Sequence, residues 1–280
     1  MGERSAPAVR NSRIFWRRPR LFTKARAAPI PRQPWSGFYL GGFGGGAWAR
    51  GVTVTELPPG AGSNNLFNGV GTQTNYGLGS NGLAGMTLGY NYLMGSVVAG
   101  WEAEGGYLRL AGSAPFAANT DTIASTTIGN WYAVLAGRLG LAVGSALIYG
   151  KAGAALIDTT DSVVDACVNV PPCSAPARTV AAAGGNRLGV TWVAGGGLEY
   201  ALRGNWSVKV EYLALGTDGS DVSSGPGLVA GSPAPQTFNW AHDIPVVQTA
   251  KIGLNYNFGP LAEERPDRAQ VVSRKSRSSH

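Results

Sequence analysis

The ionisable residues in the middle of the chain form two sets of equal size. Four bases and four acids lie on the polar faces of amphipathic segments: Arg138, Lys151, Lys209 and Lys251 against Glu102, Glu104, Glu199 and Glu211. Paired carboxylates such as Glu102 and Glu104 are used in general acid–base chemistry. An enclosed charge, however, is costly unless an opposite charge accompanies it. The balance therefore favours a structural ion-pair network inside the fold.

Histidine is scarce. His242 precedes Asp243 in a long connection, and His280 ends the sequence. A lone loop histidine is more often a solvated surface residue than a catalytic base. We therefore predict no catalytic residues, no enzyme activity, no metal site and no cofactor.

Two cysteines, Cys167 and Cys173, lie on either side of Pro171 and Pro172 in another long connection. If this connection is extracellular, the pattern predicts a disulfide that closes a small loop. The alternative is two free thiols without a role.

Eight segments of alternating character are able to position these residues as strands. They span residues 36–49, 80–93, 96–110, 129–143, 145–157, 187–202, 205–215 and 247–258. The connections alternate between short turns and long loops, the loops lying at about 50–79, 111–128, 158–186 and 216–246. This spacing predicts an all-β fold, a single eight-stranded antiparallel transmembrane up-and-down β-barrel with short periplasmic turns and four long extracellular loops.

The apolar faces of the segments carry aromatic residues at both ends. Those near the short turns are Phe38, Tyr90, Tyr92, Tyr200, Trp206, Tyr256 and Phe258, and those near the long loops are Trp48, Tyr107, Trp131 and Trp192. Two aromatic rings around an apolar band are typical of a barrel that spans a membrane. Arg109 lies on the apolar parity, so we expect it at the membrane boundary. A soluble ligand-binding barrel would need the opposite polarity.

Composition supports this prediction. Only 14% of the residues are charged and 42 are glycine, whereas about a quarter of the residues of a soluble domain are charged. The net charge of +7 comes from the ends of the chain, since residues 1–34 carry +8, residues 35–258 carry −3 and residues 259–280 carry +2. A nucleic-acid-binding fold would be expected to concentrate positive charge on a folded face, so we predict no nucleic-acid partner.

These boundaries divide the chain into three parts. We predict a basic leader or disordered arm at 1–34, a barrel at 35–258 and a basic tail at 259–280. Ala25-Arg26-Ala27-Ala28 is similar to a signal cleavage site, but the longest apolar run before it, Ile14-Phe15-Trp16, is short for a signal peptide.

Several motifs resemble the small α-proteobacterial outer-membrane β-barrel proteins, the porin-like immunogenic family with an OmpA-like barrel. They include Trp35-Ser36-Gly37-Phe38-Tyr39-Leu40-Gly41-Gly42, Asn205-Trp206-Ser207-Val208-Lys209-Val210-Glu211-Tyr212 and the terminal strand. The resemblance runs in order over about 35–258. Gly253, Tyr256 and Phe258 are similar to the terminal signal by which such barrels are handed to their assembly machinery.

The resemblance implies a Gram-negative outer-membrane location, multi-pass through the bilayer. It also implies contact with outer-membrane lipid or lipopolysaccharide, with the barrel-assembly machinery, and with a host or the exterior through the loops. The expected role is structural and surface-exposed, in envelope integrity and as a surface antigen. The alternative is a narrow porin that conducts small solutes or ions.

Overall fold

The computed structural model describes residues 2, 35–58, 69–118, 120–165, 181–217, 220–227 and 236–258. Cys167 and Cys173, the predicted tail and all but one residue of the predicted arm lie outside the described residues. Within them, no helix has the length and hydropathy needed to cross a membrane.

Twelve strands make up the described chain. They are β1 (Gly37–Ala49), β2 (Gly51–Glu56), β3 (Gln73–Gly77), β4 (Ser80–Met94), β5 (Val97–Pro115), β6 (Thr122–Val143), β7 (Ala146–Asp165), β8 (Ala181–Ala201), β9 (Trp206–Leu215), β10 (Ser220–Gly227), β11 (Gln236–Asp243) and β12 (Val247–Asn257).

Eight of these strands form a closed antiparallel ring in the order β1-β4-β5-β6-β7-β8-β9-β12. The ring closes between the first and last strands, which pair from Tyr39 opposite Asn257 to Ala49 opposite Val247. Closure leaves no unpaired sheet edge around the ring. The predicted eight-stranded barrel is confirmed.

Tight turns join the strands at one end of the barrel. Gly95, Gly144 and Gly204 have φ angles of 65°, 60° and 74°. Such left-handed conformations are strained for residues with a Cβ, which is why glycine is found in two-residue hairpin turns.

The long connections at the other end contain more strand than the sequence predicted. β2, β3, β10 and β11 lie in segments expected to be loops, and β5 to β8 continue beyond their predicted ends. Around the extension the order is β3-β2-β11-β10-β8-β7-β6-β5. This order repeats that of the barrel, because β3, β2, β11 and β10 take the places that β4, β1, β12 and β9 hold in the ring. We call β2, β3, β10, β11 and residues 110–115, 122–128, 158–165 and 181–188 the extension.

On β5 and β7 the outward face becomes more polar where the extension begins. On β7, exposed Leu156 is followed on the same face by Asp158 and Thr160. On β5, exposed Tyr107 is followed on the same face by Arg109, which is also exposed. A lipid-facing surface must be apolar and a water-facing one need not be, so this change marks the upper edge of the apolar band.

The interior is filled in layers. A small apolar group of Trp35, Val98 and Leu147 lies at the turn end. A large apolar cluster fills the upper barrel and the extension, with Phe43 and Leu108 among its lower members and Phe116 and Trp240 among its upper ones. Between the two lies a layer of charged side chains.

Candidate functional site

All eight charged residues singled out from the sequence point into the barrel. β5 provides Glu102 and Glu104, β9 provides Lys209 and Glu211, and β6, β7, β8 and β12 provide Arg138, Lys151, Glu199 and Lys251. Each is at most 5% exposed. The structure brings them together in one layer, which we call the charged cluster.

The pairing register places some of these charges opposite each other on neighbouring strands. Glu211 is opposite Lys251, and Glu199 is opposite Lys209. Arg138, however, is opposite Lys151, and like charges in that arrangement repel. Their carboxylate partners therefore come from strands other than β6 and β7.

Lys151 is the centre of the cluster. Its Nζ lies 2.7 Å from Glu102 Oε1, 2.9 Å from Glu104 Oε2 and 3.2 Å from Glu211 Oε1. One ammonium group thereby ties β7 to β5 and β9 through charge-assisted hydrogen bonds.

Two further lysines complete this half of the cluster. Lys209 Nζ lies 3.0 Å from Glu102 Oε1. Lys251 Nζ lies 2.5 Å from Glu104 Oε1 and 2.8 Å from Glu211 Oε1. Three carboxylates and three ammonium groups therefore neutralise each other.

Arg138 and Glu199 form the other half. The guanidinium pairs with Glu199, which also accepts hydrogen bonds from Ser207 and from Asn255 Nδ2, the latter at 2.8 Å. The guanidinium carbon of Arg138 lies 3.7 Å from the centre of the Tyr149 ring, a cation–π contact.

Three buried tyrosines donate further hydrogen bonds to the same carboxylates. Tyr39 donates to Glu102 Oε2 at 2.6 Å, Tyr149 to Glu211 Oε2 at 2.8 Å and Tyr132 to Glu104 Oε1 at 3.2 Å. Bulky rings thus occupy the bore beside the charges. A small barrel has room for little else.

Glycine in the wall makes room for these rings. A Cβ on Gly89 would lie 2.3 Å from Tyr39 Oη and 2.3 Å from Tyr39 Cζ. Any larger residue there would displace Tyr39 and its hydrogen bond to Glu102.

The chemistry open to the charged cluster is limited by its own neutrality. The carboxylates of Glu102, Glu104 and Glu211 approach within 4.8 Å of one another, as ligands of a cation do. The ammonium group of Lys151 already lies among them. This arrangement suits a structural ion-pair network that links the strands better than it suits a cation site.

The terminal strand carries the three residues of the predicted assembly signal. Gly253 faces inward and lies against Lys209, since a Cβ there would be 3.3 Å from Lys209 Cε. Phe258, 58% exposed, faces outward, and its N–H donates to the carbonyl of Phe38 at 2.7 Å. The Tyr256 ring lies 5.0 Å from that of Phe258. The strand closes the barrel, while its role as a signal stays a prediction.

Arg109 lies beside the upper aromatic residues, at the boundary expected from its parity. It is exposed, and its Nη1 donates to Asn130 Oδ1 at 3.2 Å. Asn130 has a φ of 97° at an irregularity in the pairing of β6 with β7.

The expectation that His242 is a solvated loop residue is wrong. It lies on β11, is fully buried, and is bonded to Ser223 through Nε2. The alternation of Phe238, Trp240 and His242 with smaller or polar residues is typical of a strand with one buried face. Here the apolar face points inward, whereas the apolar faces of the barrel strands point outward.

Comparisons with known proteins agree with this architecture. Residues 21–258 match the family described as the outer membrane protein beta-barrel domain. The chain is 27% identical over 192 residues to the 31 kDa outer-membrane immunogenic proteins of Brucella melitensis biotype 1 and Brucella suis biovar 1, covering 67% of this chain and 73% of each relative.

Among solved structures, the chain is similar to the outer membrane protein OprG from Pseudomonas aeruginosa, with a TM-score of 0.45, 10% identity and coverage of 80% of this chain and 97% of that one. It is also similar to the outer membrane protease OmpT from Escherichia coli, with a TM-score of 0.46, 9% identity and coverage of 79% and 97%. The family match covers the whole ring of strands and the extension. The chain therefore belongs to the outer-membrane β-barrel domain family and is a protein of the outer membrane.

Proposed function

We propose that this outer-membrane protein has a structural and surface role: its barrel anchors the extension outside the cell and contributes to envelope integrity, without catalysis in the bore. The observation that carries this proposal is the filled interior. The charged cluster is at most 5% exposed and lies between two apolar layers. A barrel closed in this way is a rigid anchor.

The extension supports the surface part of the proposal. In a bacterial outer-membrane barrel the long connections are on the extracellular side, and here they continue the wall beyond the apolar band. The relatives in Brucella are named immunogenic. We therefore infer that the extension is the part that host molecules and antibodies contact.

A narrow porin is the rival role, because charged groups line the bore. Planar-bilayer recording of the refolded protein separates the two. The filled bore predicts no steady channels in the wild type or in Lys251→Met, which keeps most of the side-chain volume. Steady wild-type channels whose conductance changes in Lys251→Met would overturn the structural role.

Contact with the assembly machinery is a further part of the proposal. Phe258 directly follows the closing strand and faces outward, where a recognition signal is accessible before the ring closes. Phe258→Ala should lower the amount of folded protein in the outer membrane several-fold. Ile252→Ala is the matched control, since Ile252 is 60% exposed on the same face of β12. Equal membrane levels of the two variants would contradict the signal.

Contact with lipopolysaccharide is proposed at the upper edge of the apolar band. Arg109 is exposed there beside Tyr107, and Asn130 orients its guanidinium. Arginine is well suited to phosphate oxygens. Arg109→Ala should weaken the stabilisation that added lipopolysaccharide gives to the detergent-folded barrel, and Arg203→Ala at the turn end should not.

A further inference from the structure

Three side chains from distant parts of the sequence meet inside the extension. Ser223 Oγ of β10 lies 2.9 Å from His242 Nε2 of β11, and His242 Nδ1 lies 3.5 Å from Asp161 Oδ1 of β7. Nucleophile, base and carboxylate stand in the order used by serine hydrolases, while the approach of His242 Nδ1 to Asp161 is a charge contact and not a hydrogen bond.

The carboxylate is itself held in place. Thr126 donates to Asp161 Oδ1 at 2.6 Å, and the Thr126 hydroxyl is 2.8 Å from that of Tyr76. Such supporting contacts fix the orientation of a catalytic group. The row of five side chains runs from β3 through β6 and β7 to β11 and β10.

The protonation state suits the same role. Burial lowers the pKa of His242, so the imidazole is neutral near pH 7 and is able to accept a proton. The carboxylates of Asp161 and Asp221 act in the opposite direction. They are placed to stabilise the imidazolium that forms when Ser223 loses its proton.

A gap in the strand pairing lies beside β10, the strand that carries Ser223. In the described chain, β10 pairs with β8 only at Gly227 and Ala181, while β9 stays paired with β8 up to Leu215 opposite Val193. A cleft opens in this gap and is lined in part by Ile157, Thr159, Thr191, Thr217, Ile244 and Asp221, whose carboxylate pairs with Arg187 of β8 in the same cleft. Asp221 is two residues before Ser223 on the same strand.

Two features of the gap suit an ester substrate. Within the described pairs, residues 220–226 have no pairing partner on β8, and the backbone N–H groups of an edge strand are the kind of donor that stabilises a developing oxyanion. Thr191, which lines the cleft, is next in sequence to Trp192, an exposed aromatic of the upper ring. An amphiphile in the outer leaflet would meet the cleft at the level of its polar head.

We propose that Ser223, His242 and Asp161 form a nucleophilic site that hydrolyses carboxylic esters of amphiphilic molecules reaching the gap between β8 and β10. This activity is additional to the surface role and independent of it. It departs from the expectation of a non-enzyme, which rested on a solvated His242.

The reaction has two steps, acylation of Ser223 and hydrolysis of the acyl-serine. Ser223 Oγ attacks the ester carbonyl carbon and its proton passes to His242 Nε2. The bond from that carbon to the alcohol oxygen then breaks, and the leaving alkoxide takes the proton back from the imidazolium. Water next attacks the acyl-serine, gives one proton to His242 and releases the carboxylic acid, and the proton returns to Ser223.

The test uses a fluorophosphonate probe on the full-length protein folded in detergent micelles. Covalent labelling of the wild type should map to Ser223 by peptide mass spectrometry. It should be lost in Ser223→Ala and fall about 100-fold or more in His242→Gln. Ser224→Ala is the matched control, because Ser224 is exposed and is bonded to Asn239. It should label like the wild type.

Two further readouts separate catalysis from a structural role. The labelling rate of the wild type should fall as acid protonates His242, and the residual rate of His242→Gln should not. Hydrolysis of p-nitrophenyl butyrate should follow the same pattern among the variants. An unlabelled wild type, a label on another residue, or equal rates in the wild type and a folded His242→Gln would overturn the proposal. The mapping decides the outcome even where a variant fails to fold.

Discussion

The barrel interior is filled mainly by charged side chains, whereas the interior of the extension is filled mainly by apolar ones. In the barrel, four acids and four bases fill the middle of the bore and the outward face is apolar. In the extension, Phe116, Phe238 and Trp240 fill the centre, and the outward face holds residues such as Thr160 and Asp158. The buried polar groups there include the row from Tyr76 to Ser223 and a hydrogen bond from Thr122 to Asp165.

β7 shows that the surroundings, not the strand, decide this arrangement. Its lower half points Lys151 inward and Ile148 outward, and its upper half points Val163 inward and Thr160 outward. Lipid outside removes the hydrophobic reason to hide apolar side chains, whereas water outside restores it. On this one strand, the apolar side chains therefore point outward before Leu156, as in a membrane protein, and inward after it, as in a soluble protein.

The largest expected effect comes from removing the centre of the charged cluster. Lys151→Ala leaves Glu102, Glu104 and Glu211 with one ammonium group fewer, and an uncompensated buried charge costs about 3–5 kcal/mol. The free energy of unfolding, measured by urea titration in micelles with gel migration as the signal, should fall by that amount. Arg203→Ala, at an exposed turn, should change it by less than about 0.5 kcal/mol. Equal stability of the two variants would show that the charged cluster does not stabilise the barrel.

A substitution in the core of the extension should destabilise the extension without unfolding the barrel. Trp240 is fully buried there, and its replacement by alanine typically costs about 3–5 kcal/mol. Trp240→Ala should make the extension sensitive to protease while the barrel keeps its heat-modifiable migration. Loss of both together would mean that the two regions unfold as one unit.

The outward faces are compared by placing arginine at two exposed positions of β7. Ala152→Arg faces the apolar band, where a charge costs about 2–4 kcal/mol near the midplane. Thr160→Arg faces the exterior and should change the free energy of unfolding by less than about 0.5 kcal/mol. Unfolding in lipid vesicles measures both. Similar costs would place the membrane edge above Thr160.

The smallest effect is a dependence on pH confined to the extension. Burial lowers the pKa of His242, so the unfolded chain binds a proton first as the pH falls below about 6.5. This contribution to stability is therefore lost on acidification. Burial raises the pKa of Asp161, which stabilises the folded extension when the pH falls towards the ordinary aspartate range.

The first of these contributions is isolated by His242→Gln. Asp161, Asp221 and the ion pair of Asp221 with Arg187 remain in that variant. Pulse proteolysis in urea at pH 7.5 and pH 6 should show a fall in the stability of the wild-type extension and a smaller fall in the variant. Identical falls would remove His242 as the cause.

The barrel can be predicted from the amino-acid pattern alone. Alternation with a period of two is a local property, and it is strong where one face meets lipid, so Lys251 and Leu254 already had opposite directions on the last strand. The eight interior charges follow from the same parity, because every one lies on the polar face of its segment.

The extension and the partners of the charges depend on contacts between distant strands. Phe238 and Trp240 alternate as clearly as a barrel strand, but in a short segment whose apolar face turns inward, and local pattern does not tell which solvent lies outside. The contacts of Lys151 with β5 and β9 cross the bore, and Asp161 and Ser223 reach His242 from separate strands. Such contacts depend on ring closure and register, which bring together residues far apart in the chain.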